Sequence, residues 1–316
     1  ATTEIYPLSL HDALPICLGD WVVNESKFPN GLGTLVQKVN DLGMDFGIWV
    51  EPEMVNPDSD LYRAHPDWVI QFPTRTPTQA RNQLNLNLAM PEVKEYIFSC
   101  VDRLLSQHNI KFMKWDCNKS ISDPGWASQP PPKQQQIWVE YTRNLYEIFD
   151  RLKQKHPDVV FETCSGGGGR VDMGILQRTD QAWTSDNTNP FDRLFIQEGF
   201  SHAYTPKVMV SWVTDTAKER EFSLDYRFHS AMMGTLGIGA NLNHYSEKQL
   251  KKAQKHITEY KEIRHLVQEG DLYRLLSPRT SNLSAVQYVA RDKSEAVVFV
   301  FLHSSRYNWN NYRIRL

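Results

Sequence analysis

The 316-residue chain predicts a parallel α/β fold that is followed by β structure near its C-terminal end. Two observations support this prediction. Short apolar segments alternate with amphipathic helical stretches over most of the chain, which is typical of a parallel sheet. After about Gly270 the helical pattern stops, and two β-rich segments follow at 285–290 and 296–302. We therefore expect an α/β domain and then the opening of an all-β domain.

The individual elements can be placed from their period and their boundary residues. The segments with strand character are 45–51, 83–88, 110–116, 159–165, 182–186, 208–213 and 234–242. The helical stretches lie near 31–42, 91–108, 135–156, 191–203, 222–233 and 246–269. Asn30, Pro91 and Ser246 are residue types that favour the start of a helix. Strands separated by helices in this way fit either a (β/α)8 TIM barrel, which needs an eighth strand, or an open sheet.

Composition and charge exclude several classes of protein. Lys and Arg total 35 and Asp and Glu total 37, so the net charge of −2 argues against a nucleic-acid partner. No apolar run reaches the roughly 18 residues that cross a membrane. The four cysteines have no CxxC spacing, which favours reduced thiols and a cytoplasmic location. Because no HExxH or phosphate-loop motif is present, we expect no metal and no cofactor.

Several predicted strands end in polar side chains, although a strand buried on both faces should be almost entirely apolar. In the segment 113–118, the period of two places Lys114, Asp116 and Asn118 on one face. Burying such charges is costly unless they are paired or used in catalysis. Polar residues of the same kind lie in or next to other predicted strands: Glu51, Glu53, Gln83, Asn85, Asn87, Glu162 and Asp186. Barrel enzymes carry catalysis at these strand ends, so the pattern favours an active site over a structural ion pair.

The residue types at these strand ends point to carbohydrate chemistry. Asp116 and Asp186 follow two different strands and have Trp, Arg, Asn and Lys residues nearby in the sequence. Glycosidic cleavage uses one carboxylate and one carboxylic acid on either side of the scissile bond.

Five motifs resemble the α-galactosidases of glycoside hydrolase family 36: WVEPEMV at 49–55, RNQLNLNL at 81–88, KWDCN at 114–118, ETCSGGGGR at 162–170 and WTSDNT at 183–188. The resemblance runs from about Leu18 to Tyr288. It implies a (β/α)8 TIM barrel and a retaining exo-α-galactosidase that hydrolyses melibiose- and raffinose-type galactosides by double displacement. It also implies a small-molecule galactoside as the partner and, for the full-length protein, a homo-oligomer, commonly a tetramer.

The resemblance also implies roles for individual residues. Asp116 matches the family's nucleophile and Asp186 its general acid/base, and a retaining pair should lie about 5–5.5 Å apart. The residues that match galactose-subsite positions are Trp49, Arg81, Lys114, Asn118, Cys164 and Gly167. We expect Lys114, on the same strand face, to keep Asp116 ionised.

Two departures from the family pattern affect the expected domains and activity. The family's first barrel strand ends in a DDGWFG-like segment, whereas residues 4–10 read EIYPLSL and carry no acidic pair. We therefore expect 1–16 to be a non-native leader with the first strand altered or missing, 17–269 the barrel, and 270–316 a truncated β-sandwich. Such a fragment would be poorly active. Asn189 replaces a family Asp, which should affect loop packing more than catalysis.

Other functions remain open at this point. A raffinose-synthase-like galactosyltransferase would share the fold, and acceptor-site loops would distinguish it from a hydrolase. A non-catalytic sugar-binding barrel would not require two carboxylates. An α-N-acetylgalactosaminidase would need space at the sugar 2-position.

Overall fold

The computed structural model describes residues 18–216, 219–302 and 314, together with the backbone of 5–8. The chain divides into two compact units, Ala1–Asp180 and Gln181–Leu316, which are described separately. Among the described helices, none combines the length and apolar character that a bilayer-spanning segment requires.

The first unit contains a parallel sheet and a small antiparallel ladder. Its strands are β1 (Ile5–Leu8), β2 (Asp45–Val50), β3 (Met54–Val55), β4 (Leu84–Asn85), β5 (Ile110–Trp115) and β6 (Val160–Thr163). The parallel sheet has the order β1-β2-β5-β6. Strands β3 and β4 pair with each other only, in antiparallel orientation. Of these parallel strands, β2, β5 and β6 lie in segments that the sequence predicts as strands, and β1 does not.

Helices alternate with these strands, and the longer ones bury their apolar faces. They are α1 (Gly31–Asp41), α2 (Asp60–Ala64), α3 (Pro91–Gln107), α4 (Pro131–Gln134), α5 (Ile137–Lys155) and α6 (Met173–Leu176), with a 3-10 helix at Pro66–Trp68. Pro91 occupies the first turn of α3, as predicted, whereas the side chain of Asn30 makes no capping hydrogen bond to α1. Phe149 of α5 packs between Trp115 of β5 and Phe161 of β6, with ring centroids 4.7 and 5.6 Å away.

The prediction of a strand over 83–88 is largely wrong. Only Leu84–Asn85 is a strand, and it lies outside the parallel sheet. The segment alternates polar and apolar residues as a strand would, yet residues 83–90 are all buried, polar and apolar alike. The polar members bond to loops instead: Asn85 donates to the carbonyl of Lys119 over 2.7 Å and accepts from its ammonium over 2.8 Å.

A first strand is present beside β2. The backbone of Ile5–Leu8 pairs in parallel with β2, from Ile5 opposite Asp45 to Leu8 opposite Ile48. The first strand is therefore not missing, and an altered sequence there stays a prediction. The rest of the predicted leader lies outside the described residues.

The second unit continues the alternation and then changes to antiparallel pairing. Its parallel strands are β7 (Gln181–Trp183), β8 (Met209–Thr214) and β9 (Thr235–Gly239), paired in that order. Its helices are α7 (Asp192–Ala203), α8 (Leu224–Ala231) and α9 (Glu247–Glu269), with 3-10 helices at Pro206–Val208, Glu219–Glu221 and Leu242–His244. Ser246 begins α9 with a capping box, in which Gln249 is the partner.

An antiparallel sheet follows α9 within the second unit. Strands β10 (Asp271–Leu276), β11 (Leu283–Val289) and β12 (Ala296–Leu302) form a meander in that order. The phenol of the buried Tyr288 donates to the carbonyl of Met233, 2.7 Å away, which anchors the sheet to the segment before β9. Parallel β/α units followed by antiparallel strands confirm the predicted fold class. The predicted domain boundaries stay predictions.

Candidate active site

Asp116 lies where β5 ends, between the ends of its two neighbouring strands. Its backbone N–H donates to the carbonyl of Val50, the last residue of β2, over 2.8 Å. On the other side, the N–H of Cys164 donates to the carbonyl of Trp115 over 2.9 Å. The parallel pairing of β2, β5 and β6 therefore continues into the loops and brings their polar residues to one edge of the sheet, as the sequence pattern predicts.

The Asp116 carboxylate is buried and accepts hydrogen bonds from several donors. Oδ2 accepts from the Trp49 indole at 3.1 Å and the Asn118 amide at 2.8 Å, and Oδ1 accepts from the backbone N–H of Cys117 at 2.8 Å. The Cys164 thiol also donates to it. Burial by itself raises the pKa of Asp116, but these donors outweigh it and hold the pKa below its usual range. The result is a buried, ionised carboxylate with a fixed orientation.

Lys114 is close to this site and forms a buried ion pair across the sheet. Its ammonium lies 2.8 Å from Glu162 Oε1, and the two residues are register partners on β5 and β6. The charge of Lys114 also lowers the pKa of Cys164, although burial raises it more strongly, so that Cys164 stays a neutral thiol donor. The hydrogen-bond donors around Asp116 thus lower its pKa, and a direct effect of Lys114 on that pKa stays a prediction.

The glycine run after β6 turns tightly around Cys164. Gly166 and Gly167 have φ of 53° and 91°, values that glycine adopts without steric cost. The backbone N–H of Gly167 faces the Cys164 sulfur. The hydroxyl of Ser165 donates to the carbonyl of Cys117 over 2.9 Å, which ties this loop to the one that follows Asp116.

A buried network anchors the end of the glycine run. Arg170 donates to both oxygens of Glu53, at 2.7 and 3.0 Å. Glu53 also accepts from the indole of Trp115 at 2.7 Å and from the phenol of Tyr141 at 2.6 Å. Glu53 was predicted as a polar strand end, but its partners could not be predicted, since they come from three other segments.

Arg81 occupies a strained turn and is exposed. The backbone groups of Ala80 and Gln83 bond to each other, and the two residues between them, Arg81 and Asn82, have φ of 55° and 58°. Two consecutive left-handed residues correspond to a type I′ turn, which usually contains Gly or Asn. Arg81 reaches the site electrostatically, because its charge lowers the pKa of Glu51.

Asp186 belongs to the second unit, three residues after the end of β7. Its side chain is exposed, and Oδ1 accepts from the indole of Trp183 over 2.8 Å. Nearby, the side-chain oxygen of Asn189 accepts from the N–H groups of Phe191 and Asp192 at 3.0 and 3.2 Å. Asn189 thus caps the turn that leads into α7, a role in which Asn and Asp are equally effective.

The structure places the sequence-predicted residues unequally. Trp49, Asn118 and Cys164 contact Asp116 directly, and both the charge of Lys114 and the N–H of Gly167 act on the Cys164 thiol. Glu51 and Gln83 were among the polar residues that the sequence pattern indicated, but their hydrogen bonds near Asp116 were not predicted.

Among the described residues, His229, His256 and Glu259 form a group that could hold a cation. Both ring nitrogens of His256 are already engaged, by Asp225 and Glu259 at 2.8 and 2.9 Å.

Residues 12–270 match the protein-family model described as Melibiase. The chain belongs to the melibiase family. Alpha-galactosidase AgaA of Geobacillus stearothermophilus is 42% identical over 287 residues, which cover 90% of this melibiase-family chain and 39% of that protein. Alpha-galactosidase 1 of Pediococcus pentosaceus is similar to the same extent. The chain thus spans about two fifths of the length of these relatives.

Superposition on solved structures also identifies α-galactosidases as similar to this chain. The GH36 α-galactosidase AgaB from Geobacillus stearothermophilus superposes with a TM-score of 0.96 at 39% identity, covering 99% of this chain and 44% of that one. A variant of AgaA in complex with raffinose superposes with a TM-score of 0.91 at 39% identity, covering 93% and 42%. The resemblance to family 36 α-galactosidases is confirmed.

Proposed function

We propose that this chain carries the catalytic residues of a retaining exo-α-galactosidase that acts on terminal α-galactosides of the melibiose and raffinose type. The observation that supports it most is the environment of Asp116, a buried carboxylate held ionised by oriented donors. Relatives are named α-galactosidases, and variants of one of them were solved in complex with raffinose and stachyose. These names favour hydrolysis over the transferase and the non-catalytic alternatives.

In the proposed mechanism Asp116 is the nucleophile. Its carboxylate attacks the anomeric carbon while the glycosidic C–O bond breaks, which leaves a covalent galactosyl-enzyme. Asp186 gives its proton to the departing oxygen. It then takes a proton from the water that attacks the anomeric carbon, so that galactose is released and the Asp116 carboxylate is restored.

The remaining predicted residues are proposed to hold the sugar. Trp49 offers an aromatic face, and Lys114, Asn118 and Arg81 offer hydrogen-bond donors for hydroxyl groups. Cys164 and Gly167 lie on the tight turn after β6, where the backbone leaves space for close approach of a ligand. A cytoplasmic location and a homo-oligomer, commonly a tetramer, for the full-length protein stay predictions from the resemblance.

The test is the release of p-nitrophenol from p-nitrophenyl α-galactoside by the chain and by Asp116→Asn. We expect the variant to lose at least ~10³-fold in turnover, as when a nucleophile is removed from other hydrolases. Its affinity for galactose should be retained. Asp67→Asn, at an exposed carboxyl group in a 3-10 helix, is the matched control. Equal turnover by Asp116→Asn and the unaltered chain would exclude Asp116 as nucleophile.

We further propose that the turnover of this chain is far below that of a full-length relative, because residues 4–10 carry no acidic pair to bind the galactose 4- and 6-hydroxyls. A rate equal to a relative's would refute this. Labelling by an α-galactose-configured cyclophellitol aziridine, followed by mass spectrometry, provides a single-turnover measure of nucleophile reactivity. That assay detects a competent Asp116 even where steady-state turnover is slow.

A further inference from the structure

Glu51 is a buried carboxyl group next to the proposed nucleophile. It follows Val50, the last residue of β2, and its residue surface is 0% exposed. Because β2 pairs with β5, the loop that begins at Glu51 lies beside the loop that begins at Asp116. A fully buried carboxyl group is costly unless donors satisfy both oxygens. Its partners therefore indicate what it does.

Asn118 connects Glu51 to Asp116. The backbone N–H of Asn118 donates to Glu51 Oε1, and its side-chain amide donates to Asp116 Oδ2 over 2.8 Å. The other oxygen of Glu51 accepts from the side-chain amide of Gln83 over 3.1 Å. Asn118 thus donates to both carboxyl groups. The carboxyl group of Glu51 restrains the backbone of Asn118, and the side chain of Asn118 orients the nucleophile.

Burial and the groups around Glu51 place its protonation in the neutral range. Burial is the main cause, and it raises the pKa of Glu51 to about 7. The Asn118 N–H lowers this pKa, the charge of Asp116 raises it, and the charge of Arg81 lowers it. The thiol of Cys117 also senses the charge of Glu51, and burial raises the pKa of that thiol well above its usual value. Glu51 thus exchanges a proton in a range where Asp116 stays ionised.

Gln83 is suited to both protonation states of Glu51. Its Nε2 donates to Glu51 in the structure, whereas its Oε1 is buried without a hydrogen-bond partner among the described residues. A half-turn of the amide would place Oε1 against Glu51, where it can accept the proton of a neutral carboxyl group. The unpartnered oxygen is thus available to serve as the acceptor when Glu51 is protonated.

We propose that Glu51 is a positioning residue for Asp116: through Asn118 it holds the nucleophile in orientation, and its loss or gain of a proton adjusts that hydrogen bond. This inference deepens the proposed α-galactosidase function and, for its catalytic consequence, rests on it. The contact itself does not depend on turnover, so the two can be tested separately.

The contact is tested by NMR on the chain labelled with ¹⁵N-asparagine, with the Asn118 signals assigned from their loss in Asn118→Ser. We expect the Asn118 backbone amide proton to shift between pH 5 and 9 with a midpoint of about 7, and not to shift in Glu51→Gln. Glu53→Gln is the control, since it removes another fully buried carboxylate two residues away and should leave the titration in place. A titration that persists in Glu51→Gln overturns the proposal.

The catalytic consequence is tested by the rate of labelling with the cyclophellitol aziridine and by kcat and KM on the aryl galactoside. Glu51→Ala removes the acceptor of the Asn118 N–H and should slow labelling and kcat at least about tenfold, with KM within twofold. Glu51→Gln keeps an acceptor and should recover most of the rate, without the inflection near pH 7. A wild-type labelling rate in Glu51→Ala overturns the proposal. If the unaltered chain is not labelled while Asn118 titrates, the proposed function fails and the Glu51–Asn118 contact stands.

Discussion

Lys114 and Glu162 form an ion pair in the interior of the first unit, with 2.8 Å between the ammonium nitrogen and Oε1. Their side chains are 9% and 1% exposed, and they face each other across the parallel strands β5 and β6. The pattern within one strand suggested Asp116 as the counter-ion of Lys114. The adjacent strand supplies Glu162, a pairing that no period along a single strand can reveal.

We expect Glu162→Gln to lower the free energy of unfolding by about 3 kcal/mol, because it leaves the Lys114 charge buried without its carboxylate. Urea denaturation of both proteins measures the difference. Glu147→Gln is the control, since Glu147 pairs with Lys94 at 2.9 Å but is 47% exposed. That variant should change stability by less than about 1 kcal/mol. Equal effects of the two substitutions would contradict the assigned difference in burial.

Trp49→Phe should raise the pKa of Asp116, because it keeps an aromatic ring but removes the indole donor 3.1 Å from Oδ2. A hydrogen bond to a charged group is worth about 1.5–3 kcal/mol, so we expect a shift of roughly one pH unit or more. The reaction needs ionised Asp116. As the pH is lowered, the rate of labelling by the aziridine should therefore begin to decrease at a higher pH in the variant than in the unaltered chain. Trp138→Phe, at an exposed residue of α5, should leave the profile in place. An unshifted acid limb in Trp49→Phe would rule out this role for the indole.

Glu51 should make the stability of the protein depend on pH near neutrality. Its pKa is about 7 in the folded state against an ordinary value of 4.5, so the unfolded chain ionises first as the pH rises. The contribution of Glu51 to stability is therefore fully present below pH 4.5 and is lost as the pH rises through 7. Glu51→Gln removes this loss, which amounts to at most about 3 kcal/mol. We expect the melting temperature of the variant, relative to wild type, to increase from pH 5 to pH 8, and a constant difference would contradict the raised pKa.

Asn189 should behave as a helix cap. Asn189→Ala removes the acceptor for the N–H groups of Phe191 and Asp192 and should cost about 1 kcal/mol of stability. Asn189→Asp restores the family residue and should keep the stability within a few tenths of a kcal/mol, since both residue types cap equally well. Thermal unfolding of the three proteins provides the comparison. A stable Asn189→Ala variant would mean that the cap is not needed in this loop.

Most of the fold could be predicted from hydrophobic period alone. Strands such as β5 and helices such as α3 and α9 lie within a few residues of the segments that predict them. The period failed at 83–88, where buried polar residues bond to residues of other loops. Short elements such as α2 and α6 have too few residues to establish a period.

The site was predictable in its residue types but not in its connections. Polar residues at the ends of apolar strands marked Asp116, Glu51 and Glu162, because burying a polar group without a purpose is costly. Their hydrogen-bond partners, such as Asn118 and Gln83, are known only once separate loops are placed side by side.

The amino-acid sequence by itself determined the fold class, the family and the positions where chemistry is concentrated, since these follow from local period and from motifs that lie within short segments. Only the tertiary structure decided which donors stabilise the ionised form of Asp116 and that Lys114 pairs with Glu162. It also decided that Glu51 shares Asn118 with the nucleophile. The physical reason is that pKa values and buried hydrogen bonds depend on distances of about 3 Å between groups that are far apart along the chain.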